Sequence, residues 1–176
     1  MALRRKKTPP TAPGDESGVP QPKGTGSITT VSGARHAGIL GIGAYRPRRV
    51  VDNHEICEVL DSSDEWIREL SGIITRHFAG DGESVVDMSE AAARDAIAMA
   101  GIDPEQIGCI IVATVSHPYQ TPAAAPLVAI RIGADTAAAF DISAACAGYC
   151  HGITLASDMV RSGTAEYALV IVVERL

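Results

Sequence analysis

The chain has 176 residues, 46% apolar but only 4% aromatic, with a formal net charge of −6. Residues 1–50 carry nine Lys or Arg against two acids, and residues 51–176 carry six Arg against nineteen acids. An acidic body with a basic front is not the footprint of a nucleic-acid binder, no apolar run reaches membrane-span length, and four cysteines without CxxC or Cys/His spacing resemble no zinc site. The basic start lacks the apolar stretch of a secretory signal, so a cytoplasmic protein with free thiols is expected.

Residues 1–36 are rich in Pro, Gly, Ser, Thr and Lys and have almost nothing to bury. Such a segment cannot offset the entropy of ordering, so it reads as a disordered tail. Order is expected over 37–176. Ala37–Tyr45 reads as a short buried strand whose glycines allow close backbone approach. Arg46-Pro47-Arg48-Arg49 reads as a basic turn. Asp52-x-x-Glu55 and Ser62-x-x-Glu65 have capping-box spacing and open two short helices. Gly72 ends the second, and Ile73–Phe78 reads as a strand.

Ser84-x-x-Asp87 opens a long helix with Val85, Met88, Ala92, Ala96, Met99 and Ala100 at helical spacing, stopped by Gly101. Ile107–Ala113 is continuously apolar, as in a parallel sheet covered on both faces. Thr121 can cap a helix with Pro122 at its first position and Gly133 beyond its end. Ala137–Ile142 reads as a strand, Cys146 to Gly163 as a helix, and Tyr167–Val173 as a last buried strand. Strands and helices alternate, which predicts an α/β layered sheet. The sequence stops directly after a buried strand, where a finished domain rarely ends, so truncation is expected.

Phe140-Asp141-Ile142-Ser143-Ala144-Ala145-Cys146-Ala147-Gly148-Tyr149 carries a strand through a small-residue turn into a helix, with a thiol at the junction. Backbone N–H groups and the positive helix end favour an anion there, and could form part of an oxyanion hole. Ala144, Ala145, Ala147 and Gly148 leave room beside the sulfur. Position alone leaves a second reading open, because most free cysteines are inert small hydrophobes. Cys150, one helical turn further on, reads as packing, and Cys57 and Cys109 read as structural.

Ala144-Ala145-Cys146-Ala147-Gly148 resembles the active-site segment of the β-ketoacyl-acyl carrier protein synthase III family, within the thiolase-like condensing enzymes. Ser63-Asp64-Glu65-Trp66-Ile67, Gly72-Ile73 and Thr75-Arg76-His77 resemble that family's signature near its coenzyme A site. Ile110–Thr114, Tyr119–Pro122 and Val173–Leu176 match in order. The resemblance covers about residues 37–176. It implies a thiolase-like layered α/β/α fold, of which this chain is the first half of a duplicated pair.

The same resemblance implies that Cys146 is the nucleophile. It takes an acyl group from acyl-coenzyme A and then condenses with malonyl-acyl carrier protein, in a homodimer when full length. Trp66 matches the tryptophan that packs on the adenine of coenzyme A; from the residues alone, a core-anchoring aromatic is an equal reading. Ser71 falls where the family usually has Thr near the coenzyme site. Leu70 stands where many members carry Arg, and Arg68 lies on another helical face. Thr121 falls at the acyl pocket, reaching across the dimer, where many members have Phe; the smaller side chain implies tolerance of branched or longer primers.

The family's catalytic His and Asn lie in the second half, so His54, His77, His117 and His151 are expected to be bystanders. No cofactor or metal is implied beyond the substrates. The polypeptide alone is expected not to condense substrates, and its uncovered sheet face puts stable folding in question. Two alternatives stay open: a polyketide-priming relative or acyltransferase, and a non-catalytic truncated remnant. A dinucleotide-binding domain is disfavoured because Gly41-x-Gly43 lacks the later glycine of that fingerprint.

Overall fold

The computed structural model describes residues 36–175. The tail expected over 1–36 therefore lies, His36 apart, outside the described residues. The fold is organised around strand β3 (Ile107–Ala113), which pairs in parallel with β4 (Ala138–Ile142) on one side and β5 (Tyr167–Val172) on the other. The register sets Cys109 opposite Ala138, Ala113 opposite Ile142, and Ile111 opposite Val170.

A strand without polar residues has no face to give to water, and Ile110, Ile111 and Val112 are wholly buried. Each such burial contributes about 2 kcal/mol. Alternation divides them between two layers. Ile110 and Val112 join the core with α3 (Val85–Ala100) and α4 (Ala124–Ile132), whereas Cys109 and Ile111 pack with Ala156 and Met159 of α5 (Gly148–Ser162). The result is the α/β/α layering expected. Burial pushes the Cys109 thiol pKa up, in keeping with its structural reading.

Helix α5 lies close to the sheet because its buried row is Gly148, Gly152 and Ala156. A Cβ on Gly148 would come within 2.8 Å of the Ala113 Cβ, and one on Gly152 within 2.8 Å of Val170 Cγ1. Cys150 falls between these small residues on the other face. It is exposed, which corrects its reading as a packing residue.

The capping signals were legible in part. Asp52 Oδ1 accepts from Glu55 N at 2.9 Å and caps α1 (Asn53–Cys57). The cap of α2 (Asp64–Ser71) is Ser63, whose Oγ accepts from Trp66 N at 3.1 Å, so the expected Ser62 is one residue too early. Arg49 is not in a turn: β1 (Arg49–Asp52) pairs antiparallel with β2 (Thr75–Phe78), with Arg49 over the Phe78 ring and paired to Glu55.

Residues 37–45 are extended but form no strand. No neighbouring strand lies alongside them among the described residues. Two of their N–H groups turn instead to α3: Ile42 N donates to Met99 Sδ at 3.1 Å and Ala44 N to Asp95 Oδ2 at 3.1 Å. Helix α3 thus has two apolar faces. Val85, Val86, Ser89, Ala93 and Ile97 enter the core, while the backbone of Ala92 and Ala96 underlies Gly43 and Gly41.

The start of α3 is a reciprocal cap. Asp87 N donates to Ser84 Oγ at 3.2 Å and Ser84 N donates to Asp87 Oδ2 at 2.9 Å, while Arg131 of α4 donates to Asp87 Oδ1 at 2.6 Å. The Ser84 hydroxyl and then Arg131 lower the Asp87 pKa from 3.8 to about 2. A carboxyl held ionised in the folded state contributes fully at neutral pH, and that contribution is lost as pH falls below the unfolded value towards the folded one. Asp87→Ala is therefore expected to cost about 1 kcal/mol at pH 7, as lost caps do. The difference from wild type should shrink between about pH 4 and pH 2. Thermal melts followed by circular dichroism at pH 7 and pH 3 check this.

Candidate active site

All three strands of the sheet run parallel, so their C-terminal ends open on one side. Ligands of open α/β sheets gather at such ends. From β4 the chain passes Ser143 and Ala144, makes a single turn of 3-10 helix at Ala145–Ala147, and enters α5. Ala145 has φ 45°, the one non-glycine residue of positive φ among those described. A left-handed alanine is strained and persists only where its surroundings over-determine it. Here it turns the chain sharply and leaves the next residue, Cys146, exposed.

The start of this helix differs from the others. Asp52, Ser63 and Ser84 cap α1, α2 and α3, and α4 receives a carboxylate from elsewhere, but no side chain caps Ala145–Ala147 or α5. No side-chain acceptor thus occupies the N–H groups at the start of α5, beside Cys146.

Two carboxylates hold the surrounding loops. Asp141, on β4, accepts from Ala124 N at 2.8 Å and Ala125 N at 2.7 Å. It thereby caps α4 from a neighbouring strand, and the helix begins after Ala123 rather than at the expected Thr121 cap. Thr121 and Pro122 instead form a cis peptide just before it. Glu174, beyond β5, accepts from Val115 N at 3.1 Å, Ser116 Oγ at 2.5 Å and Thr114 Oγ1 at 3.3 Å. Thr114 N reaches across to Ile142 O at 3.1 Å. The ends of β3, β4 and β5 are thus laced together around the segment carrying Cys146.

Thr121 stands on the loop between β3 and α4, with His117 bonded to Pro122 O at 3.2 Å and set edge-on to Tyr119. Asp141 joins this loop's helix to the strand leading to Cys146, so the structure connects those two expected site elements. Trp66 and Ser71 sit apart on α2. Trp66 is 58% exposed and borders a shallow hollow with Leu60, Asp61, Ser62, Ser63 and Ile67. Its reading as a core anchor is therefore set aside. Ser71 Oγ donates to Ile67 O at 2.6 Å and accepts from Ile73 N at 3.2 Å, so its hydroxyl proton is already engaged.

Arg68 is held by Asp64 at 2.8 Å, and Leu70 is exposed. Among the described residues no hydrogen bond joins a histidine to Cys146, and no His/Cys/Asp/Glu cluster of metal-binding form occurs. Sequence reasoning missed Asp141 and Glu174. The one available signal was an acid within or directly after an otherwise apolar strand.

The described residues thus build a parallel sheet between two layers of helices, with an exposed cysteine at a strand-to-helix junction. The chain belongs to the family of the thiolase N-terminal domain, whose sequence profile matches residues 75–176. It is 60% identical over 149 residues to a β-ketoacyl-acyl carrier protein synthase III of Streptomyces coelicolor, spanning 85% of this chain and 43% of that protein. It is 55% identical to the synthase III of Kocuria rhizophila over 80% of this chain and 40% of that one.

Among solved structures, the priming β-ketosynthase of the R1128 polyketide pathway matches with a TM-score of 0.79 and 43% identity, over 82% of this chain and 43% of that one. The 3-oxoacyl-acyl carrier protein synthase III of Aquifex aeolicus matches with a TM-score of 0.75 and 38% identity, over 78% and 44%. The chain spans less than half the length of the curated relatives it matches. No helix among the described residues is long and apolar enough to cross a membrane.

Proposed function

We propose that Cys146 is the acyl-accepting nucleophile of a β-ketoacyl-acyl carrier protein synthase III, and that residues 37–176 form the first half of its duplicated fold. The observation that carries this is an exposed thiol beside a helix start that no side chain caps. The sulfur attacks the thioester carbonyl of acyl-coenzyme A. The carbon–sulfur bond to the coenzyme breaks, and the coenzyme leaves as its thiol with the proton released from Cys146. Negative charge on the carbonyl oxygen develops where backbone N–H groups can meet it.

In the complete reaction malonyl-acyl carrier protein loses carbon dioxide, and the resulting carbanion takes the acyl group from Cys146. The family's His and Asn, which serve that step, have no counterpart in these residues. The step assigned to this chain is therefore acyl transfer, and condensation belongs to the whole homodimeric, cytoplasmic protein. Exposed Trp66 would stack on the adenine, with Ser71 beside it. Thr121 would border the acyl chain, its small side chain admitting branched or longer primers.

The test is intact-mass and peptide mapping after incubation with acetyl- and branched acyl-coenzyme A. One acyl group on Cys146 is expected, retained in Cys150→Ala and lost in Cys146→Ala. Labelling that persists in Cys146→Ala would overturn the assignment, and strict acetyl preference would overturn the reading of Thr121. The polyketide-priming reading is kept as a second, because the R1128 priming ketosynthase shares the fold at 43% identity. It involves the same acylation of Cys146.

A further inference from the structure

Helix α2 presents a physical puzzle. It carries Trp66 and Ser71, yet none of its residues is buried, and Trp66 and Leu70 both face outward. A helix usually owes its place to an apolar face packed on a core. The apolar side chains of this eight-residue helix, Trp66, Ile67 and Leu70, are at most half-buried among the described residues, so packing alone holds it weakly.

The anchor is Asn53, a polar side chain with no exposed surface. Its Nδ2 donates to Asp64 Oδ1 at 2.8 Å and to Ile73 O at 2.8 Å, and its Oδ1 accepts from Arg76 Nη2 at 3.0 Å. Both amide protons and the carbonyl are used, and only this orientation of the amide matches two acceptors and one donor. One residue thus ties together the first residue of α2, the turn that follows α2, and strand β2.

Asp64 passes the restraint along the helix. Arg68 Nε donates to it at 2.8 Å, and Arg68 and then Asn53 lower the Asp64 pKa. Trp66 lies two residues from Asp64, and Ser71 two residues from Ile73. Both ends of the helix are therefore fastened to one buried amide. The Asn53 amide is fully used, while Arg76 Nη1 has no partner among the described residues; losing Asn53 would leave further buried polar groups unpaired.

We infer that Asn53, acting through Asp64, Ile73 and Arg76, is a positioning residue that sets α2 for recognition of the nucleotide end of the acyl donor. This rests on the proposed reading of Trp66 and Ser71 as nucleotide contacts. On that reading a donor without the nucleotide makes no contact with α2. Asn53 therefore governs how well acyl-coenzyme A is used relative to an acyl-pantetheine thioester, and leaves transfer from the latter unaltered.

The experiment compares labelling of Cys146 by acetyl-coenzyme A and by acetyl-pantetheine in wild type, Asn53→Ala, Asp64→Ala and Asp64→Asn, with melts run in parallel. Asn53→Ala is expected to raise the acetyl-coenzyme A concentration for half-maximal labelling roughly tenfold, the equivalent of about one lost hydrogen bond. Its acetyl-pantetheine rate should match wild type. Asp64→Ala, near the surface, reports the same split if Asn53→Ala does not fold, and Asp64→Asn, which keeps an acceptor for the Asn53 amide, restores wild-type behaviour.

Equal weakening towards both donors, or no change towards either, would overturn the inference while leaving Trp66 and Ser71 in place. Wild type that uses acetyl-pantetheine as readily as acetyl-coenzyme A would overturn the nucleotide reading of α2, and this inference with it.

Discussion

Asp141→Ala is expected to lose about 3 kcal/mol of stability and most of the labelling at Cys146, although Asp141 is not itself a reacting group. Its two oxygens take the first two N–H groups of α4, at 2.8 and 2.7 Å. Hydrogen bonds to a charged group are worth about 1.5 to 3 kcal/mol each, and N–H groups at a helix start have no intrahelical partner to fall back on. The loss would also act on geometry. Asp141 lies on the strand that runs into the Ala145–Cys146 turn, and the helix it caps begins at Ala124, directly after the loop that carries Thr121. Freeing one from the other should cost roughly tenfold or more in the rate of acylation, as small misplacements of reacting groups do.

Asp141→Asn keeps one acceptor and turns an NH2 group towards an N–H, so it should fall between Ala and wild type. Thermal melts and timed intact-mass labelling measure both effects. An alanine variant that melts and labels like wild type would show that α4 is held by its apolar face alone.

Gly43→Ala is expected to destabilise the chain by about 3 kcal/mol, or roughly 10 °C in Tm for a domain of this size. A Cβ there would stand 2.1 Å from Ala92 O and 2.4 Å from Ala96 N. These are backbone atoms inside helix α3, and no rotamer change relieves the clash. The extended segment would have to lift off the helix. That would break the bond from Ala44 N to Asp95, at 3.1 Å, and weaken the neighbouring one from Ile42 N to Met99. Gly38→Ala serves as the control, because a Cβ at Gly38 meets no atom within 4 Å. Equal melting of the two variants would show that residues 37–45 contribute nothing to stability.

The parts of the fold that were legible are those written locally. Ser84 and Asp87 announce their helix because cap and partner are three residues apart, and the unbroken apolar run at Ile107–Ala113 can only be a strand covered on both faces. The Cys146 junction is legible for the same reason, since strand, small-residue turn and helix follow one another within ten residues. What was missed depends on distant chain. The cap of α4 comes from Asp141, 16 residues beyond Ala125, so Thr121 and Pro122 looked sufficient by themselves.

Residues 37–45 have strand composition, but pairing needs a neighbour that composition does not supply. Two adjacent serines offer the same cap chemistry, so local spacing alone did not separate Ser62 from Ser63, the one that caps α2. Cys150 was misjudged because the buried face of α5 is set by the sheet choosing the Gly148, Gly152 and Ala156 row.

The fastening of the sheet by Glu174 has a consequence for how the molecule is made. Ser116 leaves the ribosome 58 residues ahead of the carboxylate that secures it. The central strand likewise emerges before both of its neighbours, β4 and β5. The rim around the nucleophile can therefore close only after β5 and Glu174 have been made, well after the central strand and Cys146 themselves.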